Sequence, residues 1–132
     1  MTTAIIAAAL LAVLVFGLGF NVSRMRGVTA KAGGSQVPTD PASPLLKAIR
    51  AHGNAAEYIP TLIVLFLVVG ARSSALVAIP LIVGATAARL LHAYGMLRSR
   101  TLAAESAPRL AGAMGTYAFG IGLAVAAAAS LL

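Results

Sequence analysis

Three polar residues that could bind a charged ligand recur at helical spacing in an otherwise apolar stretch. Arg50, Asn54 and Glu57 are spaced i, i+4 and i+7, which places them within roughly 60° of one helical face. Residues 58–71 carry no charge but are too few to cross a bilayer, because a spanning helix needs about 20 residues. The span must therefore include Glu57 and begin near Arg50. Ionisable side chains at membrane depth are costly, so they indicate a functional site.

The composition is that of an integral membrane protein. The chain has 132 residues, 60% of them hydrophobic and 10% charged, with a mean hydropathy of +0.95. Four apolar stretches predict an all-α bundle of four transmembrane helices, over residues 3–22, 44–70, 74–97 and 108–131. Almost no chain remains for a soluble module, so we expect one integral domain over residues 1–132. Arg24 and Arg26 follow the first stretch, which favours a membrane anchor over a cleaved signal peptide.

Cysteine content and charge narrow the functions further. The absence of cysteine excludes disulfides, thiolate metal sites and a cysteine nucleophile, and we expect no metal site. The net charge of +7 does not indicate nucleic-acid binding, because the basic residues are dispersed in loops. Most lie in the first and third loops, which the positive-inside rule places in the cytoplasm with both termini opposite. We therefore expect a multi-pass protein of the bacterial inner membrane that contacts anionic lipids.

A second polar face is predicted at the end of the third span. Its members share one side of a helix by spacing: Arg89, His92, Met96 and Arg100. Because the second and third helices run antiparallel, this basic face lies at the membrane level of Glu57. Arg89 and Glu57 form a structural ion pair in one interpretation. In the other, the excess positive charge and the dipole at the start of the second helix bind an anion that also carries an amine for Glu57.

Local signals indicate how the helices begin and pack. Ser43 followed by Pro44 predicts an N-cap and a first helical residue. Residues 31–43 are rich in Gly, Ser and Pro and predict a flexible loop. Small residues recur every four positions in the fourth span and predict a face used only for helix packing: Gly112, Thr116, Gly120, Ala124 and Ala128.

Two segments resemble a known membrane family. Residues 50–60, RAHGNAAEYIP, resemble the RxxxNxxEYxP signature of the membrane-associated proteins in eicosanoid and glutathione metabolism, the MAPEG superfamily. In the third span Ala88-Arg89-Leu90, Gly95 and Arg98-Ser99 resemble its leukotriene-forming glutathione synthases. The likeness covers essentially the whole chain and is closest to bacterial-type members. It implies a four-helix protomer, a homotrimer, and glutathione held between neighbouring protomers at the cytoplasmic side.

The resemblance and the basic face of the third span together give a set of residues expected to bind glutathione as cosubstrate or ligand. The resemblance contributes Arg50, Asn54, Glu57 and Tyr58, and the basic face contributes Arg89 and His92. Arg50 would bind a glutathione carboxylate, and Asn54 and Glu57 its polar backbone and amine. Tyr58 would add a further polar contact.

The catalytic part of the family pattern is altered in this chain. Two tyrosines of the conjugating synthases are replaced by His92 and Met96. The arginine that holds the thiolate in those enzymes aligns with Ala103. Arg100 and Arg98 lie nearby and are the candidate catalytic cations, since a guanidinium can hold a thiolate by charge alone.

Three functions remain open from the sequence. The first is a glutathione transferase or peroxidase that acts on lipophilic electrophiles arriving through the bilayer. A nearby cation would lower the pKa of the thiol from about 8.5 and so populate the thiolate. The second is a non-catalytic lipid-binding or scaffolding protein, which the missing tyrosines and arginine favour. The third is a proton-coupled efflux protein that titrates Glu57, although Arg50 and Arg89 argue against it. Expected partners are further copies of the chain, membrane lipids and hydrophobic small molecules.

Overall fold

A computed structural model describes residues 1–131 as four long helices. They are α1 (Thr2–Lys31), α2 (Pro44–Arg72), α3 (Ala75–Arg98) and α4 (Ala107–Ala129), and no strand occurs between residues 1 and 131. Each helix is long and apolar enough to cross a membrane. The prediction of an all-α, four-helix transmembrane protein is therefore confirmed, and the protein is an integral multi-pass membrane protein.

Helix α1 is longer than the sequence analysis predicted. It continues past residue 22 to Lys31, so that Arg24 and Arg26 lie on a helix and not in a loop. The apolar run ends at Val22, but the following residues include no proline, and Arg24, Met25 and Arg26 are good helix formers. The chain leaves the helix at Ala32 and then at Gly33, whose φ of 69° is the left-handed conformation that glycine adopts most easily.

The start of α2 matches the predicted cap. The Ser43 side chain accepts a hydrogen bond from the backbone N–H of Leu46 at 3.4 Å, and Pro44 is the first helical residue. Pro60 lies inside α2, which continues unbroken to Arg72. The i, i+4, i+7 spacing of Arg50, Asn54 and Glu57 is therefore preserved in one helix.

The four helices pack so that α2 and α3 form the centre of the bundle. Helix α1 packs mainly on α2, α4 packs mainly on α3, and α1 and α4 do not meet within the described residues. Buried apolar side chains fill the interior: Leu11, Leu62, Phe66, Ile82 and Leu123. Large apolar side chains also cover the outside, as expected of surfaces that face lipid: Phe16, Phe20, Leu76 and Ile121.

Helices α3 and α4 approach each other closely at a glycine. A Cβ atom on Gly112 would lie 2.5 Å from the backbone nitrogen of His92, so only hydrogen fits there. Gly112 and Thr116 are buried, which matches the predicted packing face. Gly120 and Ala124, farther along the same face, border a groove between α2 and α4 together with Thr116. The use of this second half for helix packing stays a prediction.

Contacts between loops place the polar ends of α2 and α3 at one end of the bundle. The Lys47 Nζ donates to the Ser99 carbonyl at 3.2 Å, and the Leu102 N–H donates to the Pro41 carbonyl at 2.9 Å. The first and third loops therefore meet, as the antiparallel arrangement predicted. At the other end Arg72 donates to the hydroxyl and the carbonyl of Ser130, both at 3.1 Å.

We expect Arg72→Ala to lower the free energy of unfolding by about 1 kcal/mol, because it removes two hydrogen bonds that hold the end of α4 to the end of α2. Thermal unfolding in detergent is the measurement. Lys31→Ala, at the exposed end of α1, removes the same charge without such contacts and serves as the control. An equal shift in both variants would show that the Arg72 contacts contribute nothing.

Candidate functional site

The α2 members of the predicted glutathione-binding set lie on the outside of the protomer. Arg50 and Glu57 are exposed, and Asn54 and Tyr58 are half-buried. Arg50 and Asn54 lie toward the end of the bundle where the first and third loops meet, and Glu57 and Tyr58 lie near the middle of α2. Two opposite charges therefore flank an amide on one accessible face of a membrane-spanning helix.

Arg89 lies behind this face and connects three helices. Its side chain is 1% exposed. One terminal nitrogen donates to the Oδ1 of Asn54 on α2 at 2.7 Å, and the other donates to the hydroxyl of Thr116 on α4 at 3.5 Å. The guanidinium carbon lies 5.2 Å from the centre of the Tyr58 ring. Because these hydrogen bonds go to Asn54 and Thr116, the Arg89–Glu57 ion pair of the sequence analysis is not formed.

The groups in direct contact with the Arg89 guanidinium carry no charge. An amide, a hydroxyl and an aromatic ring are all neutral, and the Nε of Arg89 has no hydrogen-bond partner. Burying a cation with an unsatisfied donor costs free energy, so this arrangement is expensive for the fold alone. Such a cost is typical of residues retained for function.

His92 points to α4 and not to the α2 face. Its Nδ1 lies 2.8 Å from the backbone carbonyl of Arg109. A carbonyl only accepts, so we assign the proton of the neutral ring to Nδ1, which leaves a lone pair on Nε2. His92 is buried and lines a cavity of ≈ 210 Å³ together with Glu105, Ser106, Arg109, Leu110 and Ala113. No cluster of three or more His, Cys, Asp or Glu side chains in residues 1–131 offers a metal site.

Arg109 is a site residue that the sequence analysis missed. It is half-buried in the first turn of α4, and one terminal nitrogen donates to the Ala104 carbonyl at 2.7 Å. Its place in the cavity beside His92 puts a cation next to a predicted ligand residue. The available signal was a basic residue directly after Pro108, at the end of the fourth span that meets the polar ends of α2 and α3.

The candidate catalytic cations Arg98 and Arg100 are both exposed. Helix α3 ends at Arg98, and Ser99 has extended backbone angles, so Arg100 does not continue the face of Arg89 and His92 as the helical spacing suggested. The guanidinium carbon of Arg98 lies 5.9 Å from the ring centre of Tyr94, which is 55% exposed. Arg98 is thus directed outward, and the role of both arginines at a thiol stays a prediction.

An apolar cavity adjoins the polar face. The hydroxyl groups of Tyr58 and Tyr117 are 3.5 Å apart, and their ring centres are 6.0 Å apart. Both tyrosines line a cavity of ≈ 330 Å³ between α2 and α4, together with Thr61, Leu62, Leu65, Thr116, Gly120, Ile121 and Ala124. Tyr58 therefore borders the charged face of α2 on one side and an apolar space on the other.

Comparison with known proteins identifies the family. The sequence model of the MAPEG family matches residues 4–129, nearly the full length of the chain. The search of curated proteins gave no match. The four membrane-spanning helices and the charged face on α2 agree with the family match. The chain therefore belongs to the MAPEG family.

Proposed function

We propose that the protein binds glutathione and acts as a membrane glutathione transferase or peroxidase on lipophilic electrophiles. The observation that carries the proposal is the exposure of Arg50 and Glu57 on one face of α2. Seven residues of helix separate their Cα atoms by about 10 Å. Three residues of an extended peptide span roughly the same length. A zwitterionic tripeptide can therefore place a carboxylate at Arg50 and its amine at Glu57.

We further propose that the protein is a homotrimer, with glutathione held between protomers. Opposite charges exposed on a membrane-spanning helix require shielding from lipid, and a neighbouring copy of the chain can supply it. Native mass spectrometry in detergent is expected to give a trimer as the main species. A monomer or dimer as the main species would contradict the assembly.

The apolar cavity between α2 and α4 supports a lipophilic second substrate. Its volume of ≈ 330 Å³ lies at the lower end of the range of small-molecule sites. In the transfer reaction the glutathione thiolate attacks an electrophilic carbon. A sulfur–carbon bond forms, and the leaving group departs with its electron pair.

The thiolate needs a cation, and Arg109 on α4 is one candidate. It shares a cavity with His92, whose free Nε2 lone pair can accept the thiol proton. Arg98 and Arg100 are the alternatives predicted from the sequence, and both lie outside that cavity. A guanidinium remains charged at any working pH, so any of the three is chemically able to hold the thiolate.

The test is conjugation of a chlorinated nitrobenzene at saturating glutathione. Arg109→Ala is expected to lower kcat at least about tenfold, because it removes a charge that stabilises the reacting sulfur. Arg98→Ala and Arg100→Ala are the matched controls, since both remove an exposed arginine from the same end of the bundle. If Arg109→Ala keeps normal activity and either control loses activity, the thiolate is stabilised by Arg98 or Arg100, as predicted from the sequence, and not by Arg109.

A second function, non-catalytic lipid binding or scaffolding, is favoured by one observation. The positions of the family's two tyrosines hold His92, directed to α4, and Met96, buried in the core. Titration with glutathione while thiolate absorbance is followed separates the two functions. Binding without thiolate formation and without conjugation by the wild type would favour the scaffold.

A further inference from the structure

The amide of Asn54 is held in one orientation by Arg89. Arginine carries only donors, so the group 2.7 Å from its terminal nitrogen must be the acceptor Oδ1 of the amide. A flipped amide would place its NH₂ group against the guanidinium, donor against donor. The contact therefore fixes Nδ2, with its two N–H donors, on the side facing away from Arg89.

We infer that Arg89 is a positioning residue that orients the Asn54 Nδ2 donors toward an acceptor oxygen of the bound peptide. Asn54 would then bind a carbonyl or carboxylate oxygen of the ligand and not its amine. This inference rests on the proposed glutathione site. The amide lies between the two charged residues, about 6 Å along the helix axis from Arg50 and about 4.5 Å from Glu57. With the ligand ends held by those charges, Nδ2 meets the interior of the peptide, where a carbonyl oxygen is the available acceptor.

The surroundings of Arg89 favour this role over a purely structural one. Its bond to Asn54 is short, whereas its bond to Thr116 is 3.5 Å long and its Nε has no partner. The guanidinium is therefore positioned for a short hydrogen bond to Asn54, while its other N–H groups form a long hydrogen bond or none. A cation bonded to Oδ1 also polarises the amide and strengthens the Nδ2–H groups as donors. A simple thiol that lacks a peptide carbonyl would not accept this hydrogen bond from Asn54.

The decisive variant is Asn54→Asp, which keeps the shape of the side chain and its bond to Arg89 but removes both donors. We expect the melting temperature in detergent to be retained or raised, because the carboxylate can pair with Arg89. Affinity for reduced glutathione, measured by calorimetry on the full chain, is expected to fall at least about tenfold, because an acceptor now faces an acceptor. Unchanged affinity would overturn the inference, and tighter binding would do so too, by showing that Asn54 faces the ligand amine.

Variants of Arg89 test the positioning role. Arg89→Met frees the amide to flip and is expected to weaken binding several-fold, while Arg89→Lys keeps a donor-only cation and is expected to restore part of it. Thr86→Val removes a buried hydroxyl about one turn before Arg89 on α3, which donates to the Ile82 carbonyl, and is the control, with affinity within about twofold of the wild type. A wild-type affinity for glutathione in the Arg89→Met variant would overturn this inference but not the proposed function. Absence of binding by the wild-type protein would instead remove the proposed function, and the inference with it.

Discussion

Arg50→Ala and Glu57→Ala are each expected to weaken glutathione binding at least about tenfold, because truncation of one partner of a charge pair in a partly dehydrated site costs about 2–5 kcal/mol. Each substitution leaves one ligand charge without its counter-charge. Both side chains are exposed in the protomer, so neither substitution disturbs the core. Calorimetric titration of the solubilised protein with reduced glutathione measures the effect.

Two controls separate a specific clamp from a general loss of charge. Arg50→Lys keeps the charge but loses the planar fork that matches a carboxylate, and an intermediate affinity is expected. Arg72→Ala removes a cation at the opposite end of the bundle and is expected to leave the affinity unchanged. Normal binding by both Arg50→Ala and Glu57→Ala would mean that the two residues serve the assembly and not the ligand.

Gly112→Ala is expected to lower the free energy of unfolding by about 2 kcal/mol, because the added Cβ meets the backbone of α3 and the two helices must separate. The contact is with the His92 nitrogen and Cα, at 2.5 and 2.6 Å, and backbone atoms cannot move away as a flexible side chain can. Helix propensity favours alanine over glycine by roughly 1 kcal/mol, and the clash must exceed that gain.

Gly17→Ala is the matched control, because its new Cβ would meet no atom within 4 Å apart from the adjoining residues and backbone of its own helix. Its expected effect has the opposite sign, a stabilisation of up to about 1 kcal/mol from reduced backbone entropy. Thermal unfolding of both variants in the same detergent gives the comparison. A stable Gly112→Ala variant would show that α3 and α4 are not held at this separation.

Hydrophobic length was sufficient to predict the number and type of helices, but not where α1 ends. A bilayer selects for an apolar run of about 20 residues, and that run ends at Val22. The helix continues to Lys31 through residues that are not apolar, and an apolar count does not measure such a continuation. The Ser43 cap was predictable because it depends only on neighbouring residues.

Helical periodicity predicted which residues share a face of a helix, but not which residues of the other helices they contact. Arg89 was placed at the correct level, and both Asn54 and Glu57 lay on the opposing face. A long side chain can reach either one, so the bond to Asn54 required three-dimensional packing. Arg109 was missed for a related reason: its closeness to His92 arises from contact between two helices, and its only local signal was a basic residue directly after Pro108.

The length of α1 has a consequence for how fast an anionic ligand arrives. Its 30 residues are roughly 45 Å long against about 30 Å of hydrocarbon, so the helix is long enough for its basic final turns to project beyond the bilayer. Arg24, Arg26 and Lys31 are therefore held on a rigid rod beside the end of the bundle that carries Arg50. Fixed charges at that end of the bundle attract anions before they contact the protein. This attraction raises the association rate constant and leaves the dissociation rate constant unaffected. Added salt screens this attraction beyond about 10 Å, so ionic strength changes the association rate constant more than the dissociation rate constant.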